Sequence, residues 1–99
     1  MIYQLTYELR TPDFPYSDFL IFLESGLQVE TYRAFRDTWW IDAKSLSLDD
    51  LRLKIKENIG QDDIFFISTF NVGDFNGWMP SSAWQWLNTA LKNDHQSCI

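Results

Sequence analysis

Ile2-Tyr3-Gln4-Leu5-Thr6-Tyr7-Glu8-Leu9, closed by Arg10-Thr11-Pro12-Asp13-Phe14-Pro15, is the stretch on which the fold turns. Alternation puts Tyr3, Leu5, Tyr7 and Leu9 on one side and Ile2, Gln4, Thr6 and Glu8 on the other. This predicts a strand with one apolar face and one mostly polar face. Two prolines, which have no N–H to give to a ladder, end it. From Tyr16 the apolar period becomes helical: Tyr16, Phe19, Leu20, Leu23 and Leu27 share one side of a helix that Gly26 stops. The chain therefore opens strand–helix, and the remaining segments decide what that unit is completed into.

Val29–Ala43 reads as two short strands turning at Arg36-Asp37. Ser47, with Asp50 three residues on, makes a capping-box-like start to a second helix. Leu48, Leu51, Ile55 and Ile59 form its inward stripe and Gly60 ends it. Asp62-Asp63 read as turn residues before Ile64–Phe70, a strand apolar on both faces and so predicted to be central and covered on both sides. Asn71–Gly77 is a loop. Pro80-Ser81-Ser82 opens a last helix to about Lys92, with Ala83, Trp84, Leu87, Ala90 and Leu91 inward and Trp86 at the edge of that face.

The order predicts an α+β chain: a ferredoxin-like β-α-β-β-α-β sandwich with an added C-terminal helix, one domain over 1–92 and a fraying tail over 93–99. Two helices would cover one sheet face. The other would be bare, and Ile2, Gln4, Thr6, Phe66 and the adjacent pair Trp39 and Trp40, which face opposite sides so that one of them lies on or near the open face, are the candidate interface residues. A second copy of the chain is the simplest cover.

Ninety-nine residues are enough for one domain. At 45% hydrophobic and 17% aromatic residues, intrinsic disorder is excluded. No run reaches the roughly 18 apolar residues of a membrane span. The start lacks a secretory pattern and the single Cys98 cannot form an internal disulfide, so cytoplasmic residence is expected. Eight basic residues against fourteen acidic ones give a net charge of -6. Phosphate neutralisation dominates nucleic-acid affinity, so this balance favours a protein partner and disfavours nucleic acid.

Leu5-Thr6-Tyr7-Glu8-Leu9 resembles the apolar-x-Tyr-Asp-Leu strand of the small CRISPR-associated adaptor nucleases (the second Cas protein) and of VapD-type ribonucleases. The longer stretch Tyr7-Glu8-Leu9-Arg10-Thr11-Pro12…Tyr16 is similar to the opening of small bacterial and phage proteins often labelled SinR-like. Asp37-Thr38-Trp39-Trp40-Ile41, Leu51-Arg52-Leu53-Lys54-Ile55, Asp63-Ile64-Phe65-Phe66-Ile67 and Trp86-Leu87 follow in the same order as that set's strands and helices. The resemblance implies a ferredoxin-like fold paired through its sheets into a two-fold dimer. In the nuclease members it implies an Asp near the dyad, where two copies bind a divalent metal that activates water. One carboxylate per chain gives little metal affinity, whereas two across an axis make a usable site for Mg or Mn.

This chain has Glu8 at that position, one methylene longer than Asp. Glu8 as metal ligand, with Arg10 positioning phosphate, is the nuclease reading. A solvated carboxylate paired with Arg10 or Arg33, and a dimer contact, are its alternatives. Other constellations are weaker. His95 and Cys98 lie in the tail with nothing to orient them as catalytic groups or to complete a zinc site. Gly73 and Gly77 lack the lysine of a phosphate loop. Asp49-Asp50 suit a helix N-terminus. Arg52 and Lys56 make a cationic strip on the second helix, interrupted by Asp49 and Glu57. No resident cofactor is expected. The leading expectation is a homodimer acting through protein contacts, in one form a phage or mobile-element protein engaging a host nucleic-acid-binding defence machine; the alternative is a metal-dependent endonuclease.

Overall fold

The computed structural model describes residues 1–70 and 75–97, and their side chains up to 93. Its elements run β1 (Ile2–Glu8), α1 (Tyr16–Ile21), β2 (Glu30–Phe35), β3 (Thr38–Asp42), α2 (Leu48–Glu57), β4 (Ile64–Thr69) and α3 (Ser81–Ser97). The strands form one antiparallel sheet in the order β2-β3-β1-β4. The chain is α+β, with three helices on a four-stranded sheet.

The alternation of β1 divides the interior into two cores. Tyr3, Leu5 and Tyr7 join Trp39 and Ile41 of β3 beneath Phe19, Leu23, Leu27, Leu51, Ile55 and Ile59. The α1 stripe works as its spacing predicts, but the helix widens into a π-helical turn over Phe22–Gly26. That extra residue per turn brings Phe22 against the same core, its ring 6.5 Å from that of Phe19. In α2 the Ser47 hydroxyl accepts from the Asp50 N–H at 3.1 Å, satisfying one orphan donor of the first turn. Leu51 and Ile55 are fully buried, whereas Leu48, expected inward, lies in the first turn and is exposed.

The second core corrects the expectation of a bare face. Ile2 of β1 and Trp40 of β3 point to the other side of the sheet, where Ala83, Leu87 and Ala90 of α3 pack over them. Trp40 sits in an aromatic stack, 5.9 Å from Tyr32, 6.3 Å from Trp86 and 5.6 Å from Phe70. Trp39, on the opposite side, donates from Nε1 to the Tyr7 hydroxyl at 3.1 Å. Each of the adjacent tryptophans thus fills its own core, and Trp86 packs into the second core. The helix α3 continues to Ser97, beyond the end near Lys92 that its apolar stripe suggested.

The position of β4 is a second correction. It pairs with β1 alone and forms an edge of the sheet. Only Phe65 and Ile67 pack against the first core, while Phe66 is 73% and Ile64 50% exposed. The expected Asn71–Gly77 loop falls partly outside the described residues.

Candidate functional site

Because α3 lies over the Ile2–Trp40 end of the second face, the opposite end of that face stays open. Register places Phe66, Thr6, Thr38 and Phe35 in one row across all four strands. Phe35 is 56% exposed, and the Thr6 and Thr38 hydroxyls meet at 3.3 Å between the two aromatic ends. On the β4 side a shallow groove of about 400 Å³ is lined by Thr6, Tyr7, Glu8, Ile64, Phe65 and Phe66. On the β2 side a second cavity, of about 170 Å³, lies between Phe35, Gln4 and Trp40 and the 75–79 segment, which carries the fully exposed Trp78. Scattered exposed apolar residues are ordinary; here two exposed phenylalanines in one row each stand beside a groove.

The predicted interface residues divide accordingly. Thr6 and Phe66 stand on the open end. Gln4 is half-buried, its Oε1 accepting from Trp40 Nε1 at 3.1 Å, and so bridges open end and core. Ile2, Trp39 and Trp40 are each at or below 5% exposure: α3 covers Ile2 and Trp40, and Trp39 lies in the first core beneath α1 and α2. Alternation identified the faces correctly, but nothing in it said how far along the sheet α3 would reach.

Glu8 lies at the rim of this open end. Its Oε2 is 2.5 Å from Arg10 Nη2, with both side chains more than half exposed. This is the carboxylate–arginine pairing foreseen as one alternative, and at such exposure it contributes little to stability. Arg33 is turned away from Glu8, donating from Nε and Nη2 to the Arg36 carbonyl and stacking over Trp39. Among the described residues no three His, Cys, Asp or Glu side chains gather where one ion could bind them. Within one chain, then, Glu8 belongs to no such group among the described residues. The His95 side chain and Cys98 lie outside the described residues.

The most elaborate polar arrangement was missed by sequence reasoning. Asp63, read as a turn residue, is buried and takes four donors. Its Oδ1 accepts from the Arg10 and Thr11 N–H groups at 2.5 and 2.8 Å, and Oδ2 from the Gly60 N–H at 2.7 Å. The Tyr16 hydroxyl, shared with the Thr11 carbonyl at 2.9 Å, donates to Oδ1 at 2.7 Å. Burial pushes this carboxyl up, but the hydrogen bonds from Tyr16, Thr11, Arg10 and Gly60 outweigh it and hold the pKa down at about 2. Burial and the neighbouring carboxylate raise the Tyr16 hydroxyl above its ordinary value. Gly60 is required by closeness: a methyl there would overlap Thr11 Oγ1 and lie 2.5 Å from Thr11 Cβ. With three protein donors on Oδ1 and one on Oδ2, this cluster fastens the β1 exit to the β4 entrance. The available signal was Tyr16 and Asp63 both recurring in the resemblance, with no indication that they touch.

Compared with known proteins, the chain matches no protein-family model, no curated protein and no solved structure.

Proposed function

We propose that the chain is a small acidic interaction module, ferredoxin-like with an added C-terminal helix, that works as a homodimer through protein contacts. The observation that carries this reading is the row at the open end of the sheet with an exposed phenylalanine at each end, Phe66 and Phe35, on a chain of net charge -6. Aromatic side chains ringed by polar groups are the usual anchors of protein interfaces, where charge sets partner choice and encounter rate. A protein with a basic surface, such as one that handles nucleic acids, is the further partner that the charge suits. The apolar, partly aromatic grooves also favour protein over phosphate backbone, since no cationic side chain lines the larger of them.

The rival is the divalent-metal nuclease implied by the resemblance to the CRISPR adaptor and VapD-type enzymes. What favours it is the position of Glu8, exposed at the rim of the open face where two copies could bring two carboxylates together. A cleavage assay separates the two. Wild type and Glu8→Gln are incubated with single- and double-stranded RNA and DNA, in magnesium, in manganese and in chelator. The interaction module leaves every substrate intact. Metal-dependent cleavage that disappears in Glu8→Gln would make the chain a nuclease and overturn the first reading.

A further inference from the structure

The two edges of the sheet are built differently. β2 carries Glu30 and Arg33, and its register with β3 slips in a bulge between Arg33 and Phe35. Charge and bulges are devices that keep an edge strand from pairing with another chain. β4, Ile64-Phe65-Phe66-Ile67-Ser68-Thr69, has no charge, no proline and an unbroken register with β1. Its free hydrogen-bonding groups follow from the ladder. The Phe70 N–H donates to the Ile2 carbonyl at 3.0 Å, so alternation assigns Ser68, Phe66 and Ile64 to the β1 side. The main-chain groups of Phe65, Ile67 and Thr69 then point outward, and no described segment pairs with them.

We propose that a second copy of this chain adds to the β4 edge, antiparallel, about a two-fold axis beside Phe66, so that two four-stranded sheets become one. The inference rests on the homodimeric reading above and says which surface makes the dimer.

Three observations favour a second copy as the occupant. Under a two-fold axis beside Phe66, Phe65 of one chain faces Ile67 of the other, and both carry outward donors and acceptors, so the edge is complementary to itself. The same axis sets the two Phe66 rings opposite one another as a non-hydrogen-bonded pair, where side chains come closest. Phe66 is the most exposed of the strand's apolar residues and gains most from that contact. Charge supplies the third argument. Two chains of net charge -6 repel, and an uncharged strand is where they can meet. The grooves flanking β4 hold Glu8, tied to Arg10, on one side and Asp49 with Arg52 on the other, so neither side brings an unbalanced acid to the contact.

The arrangement has a chemical consequence. The β1 strands of the two chains end up three strand spacings apart, roughly 14 Å. Glu8 stands opposite Ile64, off the axis at Phe66, so the two Glu8 positions are also offset by roughly 13 Å along the strands. That is too far for both carboxylates to come within the ~2.6 Å of one ion that coordination needs. A β4-edge dimer is therefore incompatible with a shared metal at Glu8.

Sedimentation velocity on the full chain at tens of micromolar tests the proposal, together with Phe66→Lys and with Phe66→Cys in a Cys98→Ser background. Phe66 is exposed, so Phe66→Lys should keep a cooperative thermal melt, lowered only by the lost association, while weakening the dimer by about thirty-fold or more. Phe66→Cys should form a disulfide-linked dimer under mild oxidation, and Glu30→Cys on the β2 edge, in the same background, should not. A dimer that Phe66→Lys leaves unchanged, or that cross-links at Glu30→Cys but not at Phe66→Cys, overturns the β4 edge and leaves the homodimer standing. A monomeric wild type overturns both.

Discussion

Replacing Tyr16 by Phe removes the one side-chain donor that Asp63 has, and leaves the backbone donors in place. Asp63 titrates near 3.8 when unfolded and at about 2 when folded, so the folded state holds its proton less tightly. Its contribution, on the order of 2 kcal/mol, is complete above 3.8 and disappears as pH falls from there to about 2. In Tyr16→Phe the folded carboxyl rises towards its unfolded value. Urea unfolding should show the variant about 1 kcal/mol less stable at neutral pH and less sensitive to acid between those two pH values. An unchanged acid dependence would mean that the hydroxyl does not act on the carboxylate. None of this was legible in the sequence, where Asp63 stands among turn residues. Its donors at Arg10 and Thr11 are 53 and 52 positions away, and only pairing of β4 with β1 brings them near.

Helix α3 shows what periodicity tells and what it leaves open. Its inward residues Ala83, Leu87 and Ala90 were readable from spacing and are buried. Which surface they meet was not, because an apolar stripe carries no address. The strand β4 failed for a related reason. A run such as Ile64–Ile67 is written the same way for a strand covered on both sides and for an edge strand with one apolar face left open. The π-helical turn was equally invisible, since the stripe through Leu23 and Leu27 reads as ordinary helix. The packing itself gives a firm expectation. Leu87→Ala opens a cavity between α3 and the Trp40 side of the sheet and should cost about 2–4 kcal/mol in urea unfolding. A cost under about 1 kcal/mol would show that α3 contributes little to the fold.

With 14 acidic and 8 basic residues, association of two copies works against their mutual repulsion. Added salt screens that repulsion, so dimer formation should tighten from low to moderate ionic strength, measured by sedimentation. Nucleic-acid binding would weaken over the same range, because it depends on counterion release. The sign of the salt effect thus reports the kind of partner independently of any cleavage assay. Element order and the antiparallel sheet could be read from the chain, but the surface that stays open could not, since it depends on where α3 stops along the sheet. The Asp63 cluster also bears on how the chain reaches its folded form. Its bonds to Arg10, Thr11 and Tyr16 close loops of 53, 52 and 47 positions, which cannot form until β4 has docked beside β1. Chevron analysis of Tyr16→Phe should show the loss mainly as faster unfolding; slower folding with unchanged unfolding would put the docking of β4 in the transition state. On that expectation the carboxylate that ties the β1 exit to the β4 entrance is a brake on opening, and lengthens the lifetime of the native state.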